Sequence, residues 1–123
     1  MLIINRTDEF VSWVRNLDED AKEAILKRLI ILKEIGHSLG RPYVDTVSES
    51  KHKNMKELRI QNKSRLFRIF FAFDPEQNII LLIGGDKVGD KRFYNKMIPL
   101  ADKLYDKHLR KLRSNNENKN GKK

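Results

Sequence analysis

A single arginine, Arg68, interrupts one of the most apolar stretches of the sequence, RLFRIFFAF at residues 65–73. Charged side chains are rarely placed among phenylalanines without a partner or a ligand. A guanidinium group can pair with a carboxylate or a phosphate through two parallel hydrogen bonds. The sequence therefore favours a ligand-binding role for Arg68. The alternative is an ion pair with Asp86, Asp90 or an acid elsewhere in the chain.

Positive charge is concentrated in the second part of the chain. The formal net charge is +9, yet residues 1–50 hold seven Lys and Arg against nine Asp and Glu, whereas residues 51–68 alone hold seven against one. A field of this kind suits a polyanion, and nucleic acid is the default polyanion of a cytoplasm. The candidate nucleic-acid-binding side chains are Lys51, His52, Lys53, Lys56, Lys63, Arg65 and Arg92.

Several of these side chains also have a purely structural interpretation. An ion pair with Glu57 is as consistent with the position of Arg59 as a ligand-binding role is, because residues two apart on a strand point to the same face. His52 stands between two lysines, where a solvated loop residue is commoner than a catalytic base. A basic protein whose charge merely contacts phosphate therefore stays open as one interpretation of the composition.

The composition also excludes several classes of function. The chain has no Cys, and His37 and His108 have no partner at metal-ligand spacing, so neither a metal site nor a cofactor is expected. No apolar run approaches the ~20 residues of a membrane span, and the first residues lack a basic region followed by an apolar core. The sequence predicts a cytoplasmic protein without a membrane partner.

The pattern of hydrophobic residues predicts an α+β fold. Three strands are expected at residues 55–60, 65–73 and 79–83, joined by turns at 61–64 and 74–78. Before them come a short strand at 2–5, a helix capped by Thr7, a second helix at 19–35 and a long connection at 36–54. After them come a helical turn capped by Asp90 and a helix at 99–112, with Pro99 in its first turn. Residues 1–113 form one expected domain, and 114–123 an expected disordered basic tail.

The chain resembles the HigB-like branch of the RelE/ParE toxin superfamily. The resemblance is carried by three segments, MKELRI, RLFRIFFAFDP and IILLIGGDKVGDKRFYNKMIPLADKLYDKHL, and also by SLGRPYVDTV and KHKNMKELR. The resemblance extends over residues 2–112. It implies a microbial-ribonuclease-like fold, in which a small antiparallel-rich sheet carries two N-terminal helices on one face, together with a C-terminal helix. It also implies the toxin of a type II toxin–antitoxin system, which cleaves mRNA on the ribosome and is held by an antitoxin of the helix-turn-helix type. ParE members of the superfamily instead poison DNA gyrase, so a gyrase inhibitor without catalysis is the alternative.

The resemblance also implies roles for individual residues. Arg68 matches the family's phosphate-binding strand arginine, Lys87 its basic residue beyond the last strand, and Tyr94 its C-terminal tyrosine, a place that Phe93 could also fill. Arg59 and Lys91 complete the expected catalytic set. RNA carries its own nucleophile, the 2′-hydroxyl, so a metal-independent endoribonuclease needs only to orient it, stabilise the phosphate and protonate the leaving oxygen.

Two parts of that chemistry stay open at the level of sequence. The candidate general bases are the lysines Lys53, Lys56, Lys87 and Lys91. A lysine acts as a base only where burial or neighbouring cations lower its pKa. Some HigB members carry an acid–aromatic–His group near the C-terminus. This chain has Asp90 and Phe93-Tyr94 without an adjacent His, so the general acid is not assigned.

Overall fold

The computed structural model describes residues 2–120, with side chains through Glu117, and contains one five-stranded sheet between two layers of helix. The strands are β1 (Ile4–Arg6), β2 (Val44–Thr46), β3 (Lys56–Asn62), β4 (Arg65–Phe73) and β5 (Ile79–Asp86). The helices are α1 (Asp8–Arg15), α2 (Glu19–Ile35) and α3 (Phe93–Asn120), with a 3₁₀ turn at Gly36–Ser38. The spatial order is β1-β5-β4-β3-β2, in which β1 pairs with β5 in parallel and all other pairs are antiparallel. The expected α+β architecture is confirmed.

Alternation along β3 and β4 sends two different sets of side chains to the two faces of the sheet. Leu58, Ile60, Phe67, Ile69 and Phe71 pack with α1 and α2 in one core. The intervening positions face α3, where a second core forms; its members include Phe70, Phe93, Ile98, Ala101, Leu104 and Tyr105. The apolar run of β5 supplies both cores, since Ile79 and Leu81 face α1 and α2 while Ile80 and Leu82 face α3. This is the two-sided burial that the run predicts.

Capping side chains and one glycine fix the N-terminal helices to the sheet. The Thr7 hydroxyl accepts a hydrogen bond from the Phe10 amide at 2.9 Å and donates one to the Leu82 carbonyl at 2.6 Å, so the cap of α1 is also tied to β5. Asp18 caps α2 by accepting from the Ala21 amide at 2.8 Å. A Cβ on Gly84 would lie 2.2 Å from the Trp13 ring, so this glycine lets Trp13 lie flat against β5.

Two expectations about local structure are wrong. Helix α3 does not begin at Pro99 but runs continuously from Phe93, with Pro99 in its interior. A proline inside a helix costs about 3 kcal/mol. The burial of Ala101, Leu104 and Tyr105 against the sheet offsets this cost. The connection at 36–54 also contains a strand, β2, which becomes regular only because it pairs with β3.

The end of the chain also differs from its expected disorder. The backbone stays helical through Asn120, and residues 121–123 lie outside the described part. Once the first half of α3 is held against the sheet, each further residue adds one helical hydrogen bond without a new nucleation cost. The side chains from Arg113 to Glu117 are all exposed. None of the helices in the described range has the length and apolar composition needed to cross a bilayer.

We predict that a chain truncated after Arg113 keeps its fold. The side chains of 113–117 bury nothing, so the melting temperature should stay within about 3 °C of that of the full chain. Thermal unfolding followed by circular dichroism at 222 nm measures this. A drop of ten degrees or more would show that the last turns of α3 stabilise the domain.

His108→Ala is the matched control for that truncation. His108 Nε2 lies 2.9 Å from Oδ2 of Asp74, and Asp74 is 1% exposed while its Oδ1 accepts from the amides of Glu76 and Asn78 in the β4–β5 turn. Its loss leaves a buried carboxylate oxygen unpaired, which costs about 1–3 kcal/mol. The melting temperature should therefore fall for His108→Ala and stay nearly unchanged when the ten residues 114–123 are removed.

Candidate functional site

An open pocket of about 600 Å³ lies on the α3 face of the sheet, where β2, β3 and the end of β5 meet the first turns of α3. Its lining residues are Thr46, Val47, Glu49, Glu57, Arg59, Lys87, Tyr94, Asn95, Ile98 and Pro99. Three of the expected catalytic residues, Arg59, Lys87 and Tyr94, are among them. The pocket is therefore the candidate site.

The register of the β3–β4 hairpin places Arg59 directly opposite Arg68. Like charges at facing positions of a sheet repel each other, so such a pair needs a counter-charge. Glu57 supplies it from the same face, with Oε2 3.3 Å from a terminal nitrogen of Arg59 and Oε1 3.6 Å from Nε of Arg68. The side chains of Glu57 and Arg68 are only 7% and 11% exposed. This cluster of one acid and two arginines explains why Arg68 can stand in an apolar strand.

Each guanidinium keeps a buried donor that has no acceptor. The Nε–H groups of Arg59 and Arg68 make no hydrogen bond within the described part of the chain. A terminal nitrogen of Arg59 donates to Asp45 at 3.2 Å, and one of Arg68 donates to the Phe67 carbonyl at 3.0 Å. Nε of Arg68 lies 3.6 Å from Glu57 Oε1, just beyond hydrogen-bond distance. Because buried polar groups are nearly always paired, the two guanidinium groups are a candidate site for an anion.

Tyr94 closes the cluster from α3. Its hydroxyl donates to Oε1 of Glu57 at 2.8 Å, and its ring packs edge-on against Phe70 with the centroids 6.3 Å apart. Burial raises the pKa of the Tyr94 phenol, the hydrogen bond to Glu57 raises it further, and Arg68 opposes part of this rise. Tyr94 is therefore held as a neutral phenol near neutral pH and can donate a proton.

Lys87 lies beside this tyrosine. Its ammonium is 5.6 Å from the centre of the Tyr94 ring, and its backbone amide donates to the Leu66 carbonyl at 3.0 Å. A cation at this distance from the ring centre is within the range of a cation–π contact. The alternative placement of Phe93 in the site is not what the structure shows, since Phe93 is 4% exposed and packs on Phe70 in the core. Lys91 is exposed in the turn before α3 and does not line the pocket.

The seven side chains predicted to bind RNA do not form one surface. Lys51 and His52 both bind Asp106 of α3, and Lys51 and then His52 lower the pKa of that carboxyl. Lys56 donates to the Thr46 hydroxyl at 2.9 Å, next to the pocket. Lys53 and Arg92 are exposed. Their contact with RNA stays a prediction.

The remaining two, Lys63 and Arg65, lie by the N-terminus of α2, away from the pocket. Arg65 binds Asp18 at 2.7 Å and lowers the pKa of that capping carboxyl, while Lys63 is 3.4 Å from Asp20. Arg65 also lies over the ring of Phe67, which belongs to the core on the α1 and α2 face. These two cations therefore stabilise the start of α2.

The acid at the centre of the site is not among the residues predicted to form it. The sequence indicated Glu57 only as a partner of Arg59, although its place two residues before Arg59 puts it on the same face of β3. Asp45, which accepts ion pairs from Arg41 at 3.1 Å and Arg59 at 3.2 Å, was missed because β2 was not recognised as a strand. The sequence also gave no indication that Thr46, Glu49, Asn95 and Pro99 would line the pocket. Within the described chain, no group of three His, Asp or Glu side chains is arranged to hold a metal ion.

Comparison with known proteins identifies relatives of this chain in sequence and in fold. Residues 12–106 match the family model described as phage-derived protein Gp49-like. Two Mycobacterium tuberculosis proteins described as toxins are similar in sequence. HigB2 is 42% identical over 80% of this chain and 50% of its own length, and HigB3 is 47% identical over 79% of this chain and 84% of its own length. The match thus spans about half of HigB2. A solved structure of a mutant of the Escherichia coli toxin RelE in the free state covers 75% of this chain and 90% of its own, with a TM-score of 0.53 and 12% identity, which is a likeness of fold.

We predict that Glu57→Gln destabilises the fold far more than Tyr94→Phe does. The first change leaves two adjacent guanidinium groups without their shared charge, a loss of about 3 kcal/mol in the free energy of unfolding. The second removes one of the two side-chain hydrogen bonds that Glu57 accepts within the described chain, and it should cost about 1 kcal/mol. Urea denaturation of both variants measures the difference. Equal losses would mean that Glu57 is held mainly by Tyr94 and not by the arginines.

Proposed function

The chain belongs to the phage-derived Gp49-like protein family, and from this premise we propose that it is the toxin of a type II toxin–antitoxin system that cleaves mRNA on the ribosome. The observation that carries the proposal is the pair of orphaned Nε–H donors on Arg59 and Arg68, next to an open pocket. A phosphodiester is the anion that an RNA-cleaving toxin must hold. Translation takes place in the cytoplasm, which is therefore the proposed location.

The residues of the pocket, together with Arg68, which pairs with Glu57 but does not line the pocket, are suited to the steps that RNA cleavage requires. Arg59 and Arg68 hold the scissile phosphate and stabilise the charge that grows on its oxygens. The 2′-oxygen attacks the phosphorus in line, and the bond to the 5′-oxygen breaks. The products are a 2′,3′-cyclic phosphate and a 5′-hydroxyl, so no water, metal ion or protein nucleophile enters this step.

Two proton transfers accompany that step, and Tyr94 and Glu57 are placed for them. We assign the general acid to Tyr94, whose phenol hydroxyl lies beside both the arginines and Glu57 and is protonated near neutral pH. We assign the general base to Glu57, the carboxylate beside both guanidinium groups. After one turnover Glu57 holds the proton that Tyr94 has lost. Their direct hydrogen bond of 2.8 Å returns it and resets the site.

A toxin of this kind requires a partner that blocks it. The names of the relatives imply a cognate antitoxin, and we propose that it is of the helix-turn-helix type and that an acidic segment of it complements the cationic site. The second candidate function, a ParE-like gyrase inhibitor, needs only a binding surface. It gives no role to the two buried Nε–H donors of Arg59 and Arg68, so the ribonuclease is favoured.

We predict that Arg68→Lys lowers the rate of cleavage much more than it lowers affinity for the ribosome. Lysine keeps the charge but loses the planar fork, and the loss of one such contact in the transition state typically reduces the rate by about 10²–10³. Single-turnover cleavage of ribosome-bound mRNA and sedimentation with ribosomes measure the two quantities. The matched control is Arg15→Lys, since Arg15 is exposed in the last turn of α1.

A melting temperature measured on both arginine variants completes this test. If Arg68→Lys unfolds early and yet cleaves at the wild-type rate, Arg68 stabilises the fold and has no part in the chemistry. If affinity for the ribosome and cleavage fall together by the same factor, Arg68 contributes only to binding.

We also predict the chemistry of the ends. Cleavage products should carry a 2′,3′-cyclic phosphate or 3′-phosphate and a 5′-hydroxyl, because the 2′-oxygen is the nucleophile. Sequencing of RNA ends after brief induction, with and without removal of the 3′-phosphate, identifies them and locates the cuts in translated messages. A 3′-hydroxyl would contradict the mechanism. Double-strand DNA breaks without RNA cuts would support the gyrase inhibitor instead.

A further inference from the structure

The hydrogen-bond ladder between β2 and β3 ends at the backbone of Arg59. Asp45 faces Glu57 in this ladder, so Tyr43 faces Arg59 two residues further along. Facing residues of such an antiparallel pair normally exchange two hydrogen bonds. Only one of them forms here: the Arg59 amide donates to the Tyr43 carbonyl at 2.7 Å, whereas the Tyr43 amide donates to the Gly40 carbonyl at 3.0 Å. The Arg59 carbonyl therefore needs a donor from outside the ladder.

Arg28 of α2 supplies that donor. Its Nη1 donates to the Arg59 carbonyl at 2.7 Å, and its guanidinium carbon lies 4.1 Å from the centre of the Tyr43 ring. An ionised donor makes a stronger hydrogen bond than a neutral one, and the ring adds a cation–π contact that holds the guanidinium in place. Helix α2 packs on the face of the sheet opposite the pocket, so Arg28 reaches the backbone of a site residue from behind the sheet.

The backbone and the side chain of Arg59 are thus held by different groups. The amide and the carbonyl are bonded to Tyr43 and Arg28. One terminal nitrogen of the guanidinium donates to Asp45 at 3.2 Å and to Glu57 at 3.3 Å. These contacts restrain both ends of a long side chain that otherwise has many rotamers. The direction of the buried Nε–H between them is restrained as well.

We propose that Arg28 is a positioning residue for Arg59 and sets where that guanidinium meets the phosphate; the inference rests on the proposed ribonuclease function. Arg28 is not among the residues that line the pocket, so it acts through the Arg59 carbonyl and not on RNA. A displacement of about 1 Å in a group that contacts the reacting atoms can cost about 10²-fold in rate. Loss of the Arg28 donor should therefore lower the rate of cleavage and leave affinity for the ribosome nearly unchanged.

Single-turnover cleavage of ribosome-bound mRNA by three variants tests this role, at a temperature at which melting curves show all of them to be folded. Arg28→Met removes the donor but keeps a long unbranched side chain, and it should lower the rate at least about tenfold. Arg28→Lys keeps a charged donor and should stay within about threefold of the wild type. The control Arg15→Met makes the same chemical change at an exposed position of α1 and should leave the rate unchanged.

A double-mutant cycle with Arg59→Ala separates positioning from a general effect on the fold. Because Arg28 acts through Arg59, Arg28→Met should cost almost nothing in a chain that already carries Arg59→Ala. If Arg28→Met does not fold, Tyr43→Leu takes its place, since it removes the ring beside Arg28 at an exposed position and should lower the rate about threefold. A loss that persists in the Arg59→Ala background, or wild-type cleavage by Arg59→Ala, would overturn the proposal.

The Nε–Hε resonance of Arg59 in nuclear magnetic resonance spectra reports on this side chain without RNA or ribosomes. Arg28→Met, or Tyr43→Leu in its place, should shift this resonance and speed its exchange with water, whereas Arg15→Met should leave it unchanged. If the wild type cuts no RNA but the resonance responds in this way, the ribonuclease function fails and the positioning of Arg59 stands. If RNA is cut and the substitution changes neither the rate nor the resonance, the ribonuclease stands and the positioning role is overturned.

Discussion

The site depends on one buried carboxylate. Arg59 and Arg68 face each other across the β3–β4 hairpin, an arrangement that repels and that a sheet surface beside an apolar core would not tolerate alone. Glu57 bridges both guanidinium groups and accepts the Tyr94 hydroxyl, so three elements of the fold meet at its two oxygen atoms. It compensates one charge of the two and leaves two donors unpaired. Asp45 pairs with Arg59 from β2, so the stability of the cluster rests on two acids, of which only Glu57 contacts both arginines.

The glycines at the end of β5 make room for this arrangement. Gly85 is the neighbour of Arg68 on the other side, and a Cβ there would lie 2.9 Å from the Phe93 ring. Without a side chain at this position, Phe93 can pack close to the sheet and bring Tyr94, the next residue, over Glu57. Gly84 does the same for Trp13 on the opposite face. The pair thus sets how closely both helical layers approach the sheet, and the first turns of α3 form a pocket wall as a result.

Much of the fold was predictable from local pattern, but the site was only partly so. The alternation along β4 predicted that Arg68 points to one face of the sheet and that Phe67 and Ile69 point to the other. The apolar run of β5 indicated burial on both faces. The structure shows both features. The register of the β3–β4 hairpin was not predictable, because a turn at 61–64 allows several pairings that differ by a residue or two. A slip of one residue would move every side chain to the other face of the sheet. The observed loop is only Lys63-Ser64, with Lys63 at φ 58°. Glu57 gained its role from that register, which only the folded hairpin defines.

Contacts within the chain also limit what the net charge says about function. Lys63 and Arg65 are paired with the acids at the start of α2, and Lys51 and His52 with Asp106, so much of the basic segment stabilises the fold itself. Pairing does not remove the excess of +9, which still attracts a polyanion from a distance and is screened by salt. Selection of one phosphate needs donors that are fixed and desolvated, and the proposed function assigns this part to Arg59 and Arg68, whose Nε atoms are buried. The proposed function therefore assigns long-range attraction and local recognition to different arginines and lysines of one chain, and the two arginines of local recognition are those that pair with Glu57.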